Sequence, residues 1–313
     1  MITLEPLAKT KASLTRLQNA MQNDIKKFRA GESARTLVNN LQTAARVGIS
    51  DASVAVENDE AIGLTMIRND KARYTCDIRL LYSVPGKETA VTPMLVQHAI
   101  AKVWAEPSNQ FLNATLFIDQ AGVRDAFIAD GALRAEREEM HLDSLSAFQA
   151  DGQLPDGFRF AAWSPEAIDS AARMSVDAYE GTLDAQIYPD MQTLPAMQSY
   201  FQEALNDAGH SFDAQASTLI YEGDKLAALL VSTLASDKRG YIIEMNVAQA
   251  YRRRGLARAL MHHALFAFTA EGLTGAKLWA TVANPAYGFY QSLGFHTHMP
   301  MWVYSAQRPA TTK

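Results

Sequence analysis

The chain echoes itself. Adding 165 to the numbering places Glu57 on Glu222, Asp59 on Asp224, Leu64 on Leu229, Leu95 on Leu260, His98 on His263, Ala99 on Ala264 and Glu106 on Glu271, without a gap. After a three-residue shift Phe127 falls on Phe289 and Leu133 on Phe295. One match carries little, but an ungapped register over this span points to a duplicated unit. The 313 residues suit two units of about 150 residues each, both large enough to bury a core.

Hydrophobic periodicity gives the elements of each copy. In the first, helices are expected over Thr10 to Arg29, where Leu14, Leu17, Met21, Ile25 and Phe28 recur at three- and four-residue steps, and over Ser33 to Arg46. Strands follow at Ser53 to Glu57, Ala61 to Ile67 and Tyr74 to Tyr82, then a helix over Glu88 to Ala105. A strand at Leu112 to Ile118, a short helix over Gly122 to Ala129 and a strand at Leu133 to Leu142 complete the copy. The breaker-rich stretch 151–157 reads as a linker.

The second copy repeats the order. A strand at Phe158 to Ala161 leads to helices over Pro165 to Tyr179 and Asp190 to Asp207, and strands follow at Ser217 to Tyr221, Leu226 to Leu234 and Tyr241 to Val247. A helix over Gly255 to Glu271 and a strand-helix-strand ending near Tyr304 close it. The alternation reads as an α/β fold with a mixed sheet flanked by helices, in two tandem domains at 1–150 and 157–308.

The strand Tyr241 to Val247 runs into Tyr251-Arg252-Arg253-Arg254-Gly255-Leu256-Ala257 and then a helix with Leu260, Ala264, Leu265 and Phe268 on one face. A glycine where strand becomes helix lets the backbone curl around a ligand, and the unpaired N–H groups of the first helical turn favour an anion. Arginines there oppose the helix dipole, a cost that an anion would relieve and for which a diphosphate is well suited. Taken alone, the run reads equally as a basic helix start on a solvated face. Downstream, Asn284-Pro285 is a good helix start and Gly294 a good stop for a short aromatic helix through Tyr287 and Tyr290.

From Phe158 to Tyr304 the chain resembles the GNAT superfamily of acyl-CoA-dependent N-acyltransferases. Arg252, Gly255 and Ala257 match its phosphate turn, Arg/Gln-x-x-Gly-x-Gly/Ala. Asn284, Tyr290, Gly294 and Phe295 match its later segment of Asn, a short helix carrying Tyr, then Gly-Phe. The resemblance implies two tandem GNAT-like domains and an N-acetyltransferase that passes an acetyl group from acetyl-CoA to an amine by direct attack in a ternary complex. A non-catalytic acyl-CoA sensor or interaction module is the other reading. The echo keeps apolar positions and loses this chemistry. Arg252 to Ala257 correspond to Lys87-Glu88-Thr89-Ala90-Val91-Thr92, Glu244 to Arg79 and Tyr290 to Ile128. The first domain is therefore expected to be a degenerate, non-catalytic copy.

The same resemblance places the thioester against main-chain groups of Met245, Asn246 and Val247, with the Val247 N–H polarising the carbonyl, and the diphosphate at Arg252, Arg253, Arg254, Gly255, Leu256 and Ala257. Glu244 is the candidate general base; a ligand for the substrate ammonium and a structural carboxylate are its other readings. Tyr290 is the candidate acid for the coenzyme A thiolate, against the plainer reading of a core aromatic. Asn284 either reaches the pantetheine amides or only caps its helix. Tyr287 stands where the family has a small residue, and either narrows the pantetheine channel or packs on coenzyme. Acceptor choice falls to 179–190, which mixes aromatic and acidic side chains; an ordinary surface loop is the rival reading.

A net charge of −5 argues against a broad nucleic-acid or anionic-membrane footprint. Cys76 is the single cysteine, which excludes an internal disulfide and a multi-thiolate metal site. No apolar stretch is long enough to span a membrane and no secretory pattern opens the sequence, so a cytoplasmic protein is expected. His296 and His298 alternate on the final strand without an evident acidic partner, and no metal is expected. The expected partner is a small-molecule or peptide amine, with a homodimer left open by the amphipathic N-terminal helices.

Overall fold

A computed structural model describes residues 1–28, 32–70, 75–148, 152–206 and 211–309. The expected element ends at Arg29, Tyr74 and Asp207 and the first linker residue, Asp151, lie outside them. The chain forms two compact units, Met1–Glu136 with Pro300–Lys313, and Arg137–Met299.

The first unit contains β1 (Thr3–Pro6), α1 (Thr15–Phe28), α2 (Ala34–Arg46), β2 (Asp51–Glu57), β3 (Glu60–Asp70), β4 (Thr75–Ser83), α3 (Glu88–Ala105), β5 (Phe111–Leu116), α4 (Val123–Ala129) and the start of β6 (Leu133–Leu142). α2 begins where Ser33 Oγ accepts the Thr36 N–H at 3.0 Å, and it buries Leu37, Val38 and Leu41 on one face. α3 likewise buries Val91, Leu95, Ala99 and Val103. The strands run β1-β2-β3-β4-β5 and end on β13 (His296–Gln307), with only β4 and β5 parallel.

The second unit takes over β6 from Arg137 and continues with β7 (Phe158–Ala161), α5 (Ile168–Tyr179), α6 (Leu183–Ile187), α7 (Leu194–Leu205), β8 (Ser211–Phe212), β9 (Thr218–Glu222), β10 (Lys225–Leu234) and β11 (Arg239–Val247). After these come α8 (Leu256–Ala270), β12 (Gly275–Thr281) and α9 (Ala286–Ser292). Its sheet runs β6-β12-β11-β10-β9-β7, with β8 on β10 and only β11 and β12 parallel. Alternation along β10 builds the core. Ala228 and Leu230 pack with Leu260, Ala264 and Phe268 of α8, whereas Leu229 and Val231 pack with Ala171 of α5 and Met197 and Phe201 of α7. With both faces covered, β10 is buried almost throughout. Gly240 of β11 lies so close to α8 that a Cβ there would sit 2.2 Å from the Phe268 ring.

The expected cut at 1–150 and 157–308 does not follow these units. β13 pairs with β5 from Trp302 to Gln307, so the last strand completes the first unit's sheet. β6 pairs with β12 from Arg137 to Leu142, so a strand of the first copy completes the second unit's sheet. Periodicity identifies a strand but not the ladder it joins. β1, α6 and β8 are too short for that signal and are not among the expected elements.

The duplication is real in the fold, yet its register is not ungapped. Val84 N–H bonds Ile62 O as Ala248 N–H bonds Ala227 O, and the Gly63↔Ser83 pair matches Ala228↔Val247. This sets β3 on β10 at an offset of 165 but β4 on β11 at 164. Glu244, opposite Val231, therefore corresponds to Leu80, opposite Met66, rather than to Arg79. At the end of α4, the Asp130 and Ala132 N–H groups bond Phe127 O and Gly131 N–H bonds Ile128 O. Leu293, Phe295 and Gly294 repeat this on Tyr290 and Gln291 at the end of α9. Phe127, not Ile128, is thus the counterpart of Tyr290.

Candidate active site

The parallel ladder between β11 and β12 runs only from Arg239↔Gly275 to Ile242↔Leu278, although β11 continues to Val247 and β12 to Thr281. On its other side β11 stays paired with β10 through Val247, with a bulge that leaves Ile243 unpaired between Ser232↔Ile242 and Val231↔Glu244. The opened stretch holds a cavity of about 270 Å³ lined from β11 by Glu244, Met245 and Asn246 and from β12 by Trp279, Ala280 and Thr281. Arg137, Tyr179, Asp184, Tyr188, Tyr200, Asn284 and Tyr290 line it as well. Of the stretch 179–190, Tyr179, Asp184 and Tyr188 reach the cavity, and Leu183–Ile187 is helical rather than a plain loop.

Glu244 is buried, 9% exposed. Its Oε1 accepts from Tyr179 Oη at 2.7 Å and from Asn246 Nδ2 at 2.6 Å, while Asn246 Nδ2 also reaches Ser175 Oγ at 3.1 Å. Among the described residues nothing hydrogen-bonds Oε2. Burial pushes the Glu244 carboxyl up to about 7, against the pull of the Tyr179 and Asn246 hydrogen bonds and the Arg137 charge, and Asp184 adds to the rise. The group is therefore poised to exchange a proton near neutral pH.

Tyr290, on α9, lines the same cavity and is 9% exposed. Burial, followed by the carboxylates of Glu244 and Asp184, raises its phenol well above the ordinary tyrosine range, with Arg137 opposing. It stays protonated at neutral pH, as a proton donor must. Among the described residues its hydroxyl has no hydrogen-bond partner. Asp184 is held by Thr281 Oγ1 at 2.5 Å and Asn284 Nδ2 at 2.7 Å, and Asn284 Oδ1 accepts from the Ala286 N–H at 2.9 Å. Asn284 thus caps α9 and anchors Asp184, which commits the amide expected to reach pantetheine. Tyr287 is outside the cavity lining, its hydroxyl bonded to Glu138 and, at 3.1 Å, to Thr297.

Where β11 ends, Ala248 N–H is committed to Ala227 O of β10. Backbone alternation then turns the Val247 N–H to the opened side. The turn that follows leads into α8 through Gly255, whose φ of +87° is left-handed and whose Cβ position is clear of other atoms within 4 Å. No side chain caps α8, so the N–H groups of its first turn, including those of Leu256 and Ala257, keep the donors an anion would take. The Leu256 side chain is in the core. Arg253 is exposed with φ of +66°. Arg254 is exposed, 5.3 Å over the Tyr251 ring and 3.4 Å from Glu222 Oε1. Arg252 differs from both, since Nε donates to Val247 O at 3.3 Å and Nη2 to Ala178 O at 3.1 Å, tying the end of β11 to α5.

The first unit repeats this frame and fills it. Its β4–β5 ladder also stops early, at Ile78↔Ala114, while β4 runs on to Ser83. Ser83, the counterpart of Val247, donates its N–H to Gln120 Oε1 at 2.7 Å and accepts from Gln120 Nε2 at 2.8 Å. Glu88, at the start of α3, accepts the Gly86 N–H at 2.7 Å, so a carboxylate of the chain already sits where an anion would. Phe127, fully buried, stacks on Tyr304 at 4.5 Å and lacks the hydroxyl of Tyr290.

Arg137, Tyr179, Tyr200 and the Asn246 side chain line the cavity with Glu244, a grouping that sequence spacing does not reveal. Arg137 belongs to a strand of the other copy, and no spacing ties it to Glu244. The histidines also find partners that spacing hides. His298 stacks on His141 at 3.9 Å, and with Glu139 they bring three ligand-type atoms within 4.8 Å of one another, while His296 lies 3.3 Å from Asp143. His262 and His263 pack on Phe148 and Phe160. Cys76 is fully buried, and burial pushes its thiol up to about 12, as an inert core residue requires.

Residues 182–295 match the family model described as Acetyltransferase (GNAT) family. A comparison with curated protein sequences finds no match. Among solved structures, the chain is similar to a GCN5-related N-acetyltransferase from Sphaerobacter thermophilus, with a TM-score of 0.67 at 16% identity over 98% of this chain and 96% of that one. It is similar also to a tandem GNAT protein from the clavulanic acid biosynthesis pathway, with a TM-score of 0.57 at 14% identity over 98% of both chains. At such identities the likeness speaks for the fold. The chain therefore has the fold of GNAT proteins, tandem ones among them, and its residues 182–295 match the family model of the GNAT acetyltransferases.

Proposed function

We propose that the second unit is an N-acetyltransferase that moves an acetyl group from acetyl-CoA to a small-molecule or peptide amine by direct attack. The observation that carries this reading is Glu244. It is a buried carboxylate with one oxygen held by Tyr179 and Asn246 and a proton affinity tuned to about pH 7, in the same cavity as the unpartnered Tyr290 hydroxyl. The uncapped start of α8, the left-handed Gly255 and the exposed Arg253 and Arg254 fit a diphosphate. Acetyl-CoA, when bound, supplies the activated acyl group.

The residues then divide the work. Glu244 takes a proton from the acceptor ammonium, freeing the nitrogen lone pair. The Val247 N–H steadies the carbonyl oxygen as the new nitrogen–carbon bond forms and the carbon–sulfur bond breaks. Tyr290 gives its proton to the departing sulfur and regains one as the acylated nitrogen sheds its second proton, directly or through water, while Glu244 returns the first to solvent. A covalent acyl-enzyme is not invoked, because no serine or cysteine is among the described residues that line the cavity and the Thr281 hydroxyl is buried against Asp184. No helix among the described residues is long and apolar enough to cross a membrane, and a cytoplasmic location is proposed with the activity.

The test is thiol release from acetyl-CoA over an amine panel at several pH values. Amine-dependent release with an acid limb near pH 7 supports the reading. Coenzyme binding with no release under any acceptor is the behaviour of an acyl-CoA sensor and contradicts it.

A further inference from the structure

Proton transfer through Glu244 and Tyr290 leaves Arg137 without a task. It stands on β6 opposite Thr281 of β12, at the opened part of the sheet, and its guanidinium lines the cavity. Nη1 donates to Tyr188 Oη at 2.8 Å and Nη2 makes a long 3.4 Å contact with Trp279 O, whereas Nε is buried with no partner. A guanidinium presents five N–H donors in a planar fork that matches a carboxylate edge on. Much of that fork is unused.

The acids of the cavity do not use it. Asp184 accepts from Thr281 and Asn284, and Glu244 Oε1 accepts from Tyr179 and Asn246. Among the described residues no carboxylate makes an ion pair with Arg137. A cation held in a sheltered cavity without a bonded anion is costly, and a ligand that brings the anion removes the cost. Arg137 and Glu244 also feel each other, since the Arg137 charge tempers the rise in the Glu244 carboxyl. A cavity of about 270 Å³ is small, and Met191, Met197 and Leu278 give it an apolar wall.

We propose that the acceptor is a small amino acid whose amine is delivered to Glu244 and whose carboxylate is gripped by the fork of Arg137. The proposal rests on the N-acetyltransferase reading for its chemistry. The carboxylate stays intact through the reaction, which only positions it.

The experiment measures thiol release with matched acceptors, alanine against ethylamine and valine against isobutylamine, for the wild type, Arg137→Gln and Arg137→Lys. Saturation-transfer NMR of the same acceptors with coenzyme A present runs in parallel. The wild type should favour each amino acid over its decarboxylated partner by roughly 100-fold in kcat/KM, mostly through KM. Arg137→Gln should erase that preference, read as the ratio of kcat/KM for the two partners at one pH so that any change in Glu244 cancels, and Arg137→Lys should restore part of it. Equal use of both partners by the wild type, or an equal loss for both in Arg137→Gln, overturns the assignment. If no acceptor releases thiol but NMR shows amino-acid binding that Arg137→Gln abolishes, the assignment stands and the acyl-transfer reading falls. Absence of both preference and binding overturns it.

Discussion

The Tyr179 hydroxyl donates to Glu244 Oε1 at 2.7 Å, from the last residue of α5 to the first residue after the bulge in β11. This bond favours the charged carboxylate and holds down a proton affinity that burial raises. Tyr179→Phe should therefore raise the Glu244 pKa by about 1–2 units, since a hydrogen bond to a charged group is worth roughly 1.5–3 kcal/mol. The acid limb of the pH–rate profile should move to higher pH by that amount. An unmoved limb would detach Tyr179 from the base.

Glu244→Gln should abolish most turnover and yet stabilise the fold at alkaline pH. The folded-state pKa, about 7, lies above the ordinary carboxylate value of 4.5, so the folded chain binds the extra proton. Its stabilising effect is complete below the unfolded value and is lost as pH rises through about 7. The neutral glutamine avoids that loss, by at most about 3 kcal/mol. Melting temperatures of the two proteins should diverge as pH rises from about 5 to 8. A pH-independent difference would show that Glu244 does not titrate there.

Tyr290→Phe should lower turnover by roughly 100-fold with little change in coenzyme affinity, because only a proton donor is removed from a ring that stays packed. The first unit has Phe127 in the same place, so the substitution recreates its chemistry there. Steady-state kinetics beside coenzyme titration separate the two effects. Unchanged turnover would remove the acid role.

The three arginines of the turn should respond differently. Arg253→Ala and Arg254→Ala should weaken coenzyme binding in a salt-dependent way while leaving thermal stability nearly intact, since neither exposed side chain ties backbone segments together as the equally exposed Arg252 does. Arg252→Ala should also lower stability by about 1 kcal/mol, because it ties Val247 O to Ala178 O. Identical behaviour of all three would contradict the division.

Element by element, much of this fold is legible in sequence. α3 matches its expected bounds because Val91, Leu95, Ala99 and Val103 keep a helical period, and β10 reads as a strand from a continuous apolar run. Glu244 and Tyr290 stand out in sequence through the resemblance carried by Arg252, Gly255, Asn284 and Gly294, and both line one cavity in the fold. Partner choice across the sheet is not written in local pattern, which is why sequence alone does not show that β6 pairs with β12 and β13 with β5. One residue of slip between β3 and β4 hid the match of Glu244 to Leu80, and one more hid that of Tyr290 to Phe127. The groups that tune Glu244 lie 65 and two residues from it in the chain, so only folding gathers them.

Calorimetric titration of the whole chain with acetyl-CoA bears most directly on the claim that one unit keeps a working socket and the other has filled its own. Gln120 already bonds the Ser83 N–H and the Glu88 carboxylate stands at the start of α3, so one coenzyme should bind per chain, and Arg254→Ala should weaken that event. Two equivalents per chain, or one that is indifferent to the turn at Gly255, would contradict it.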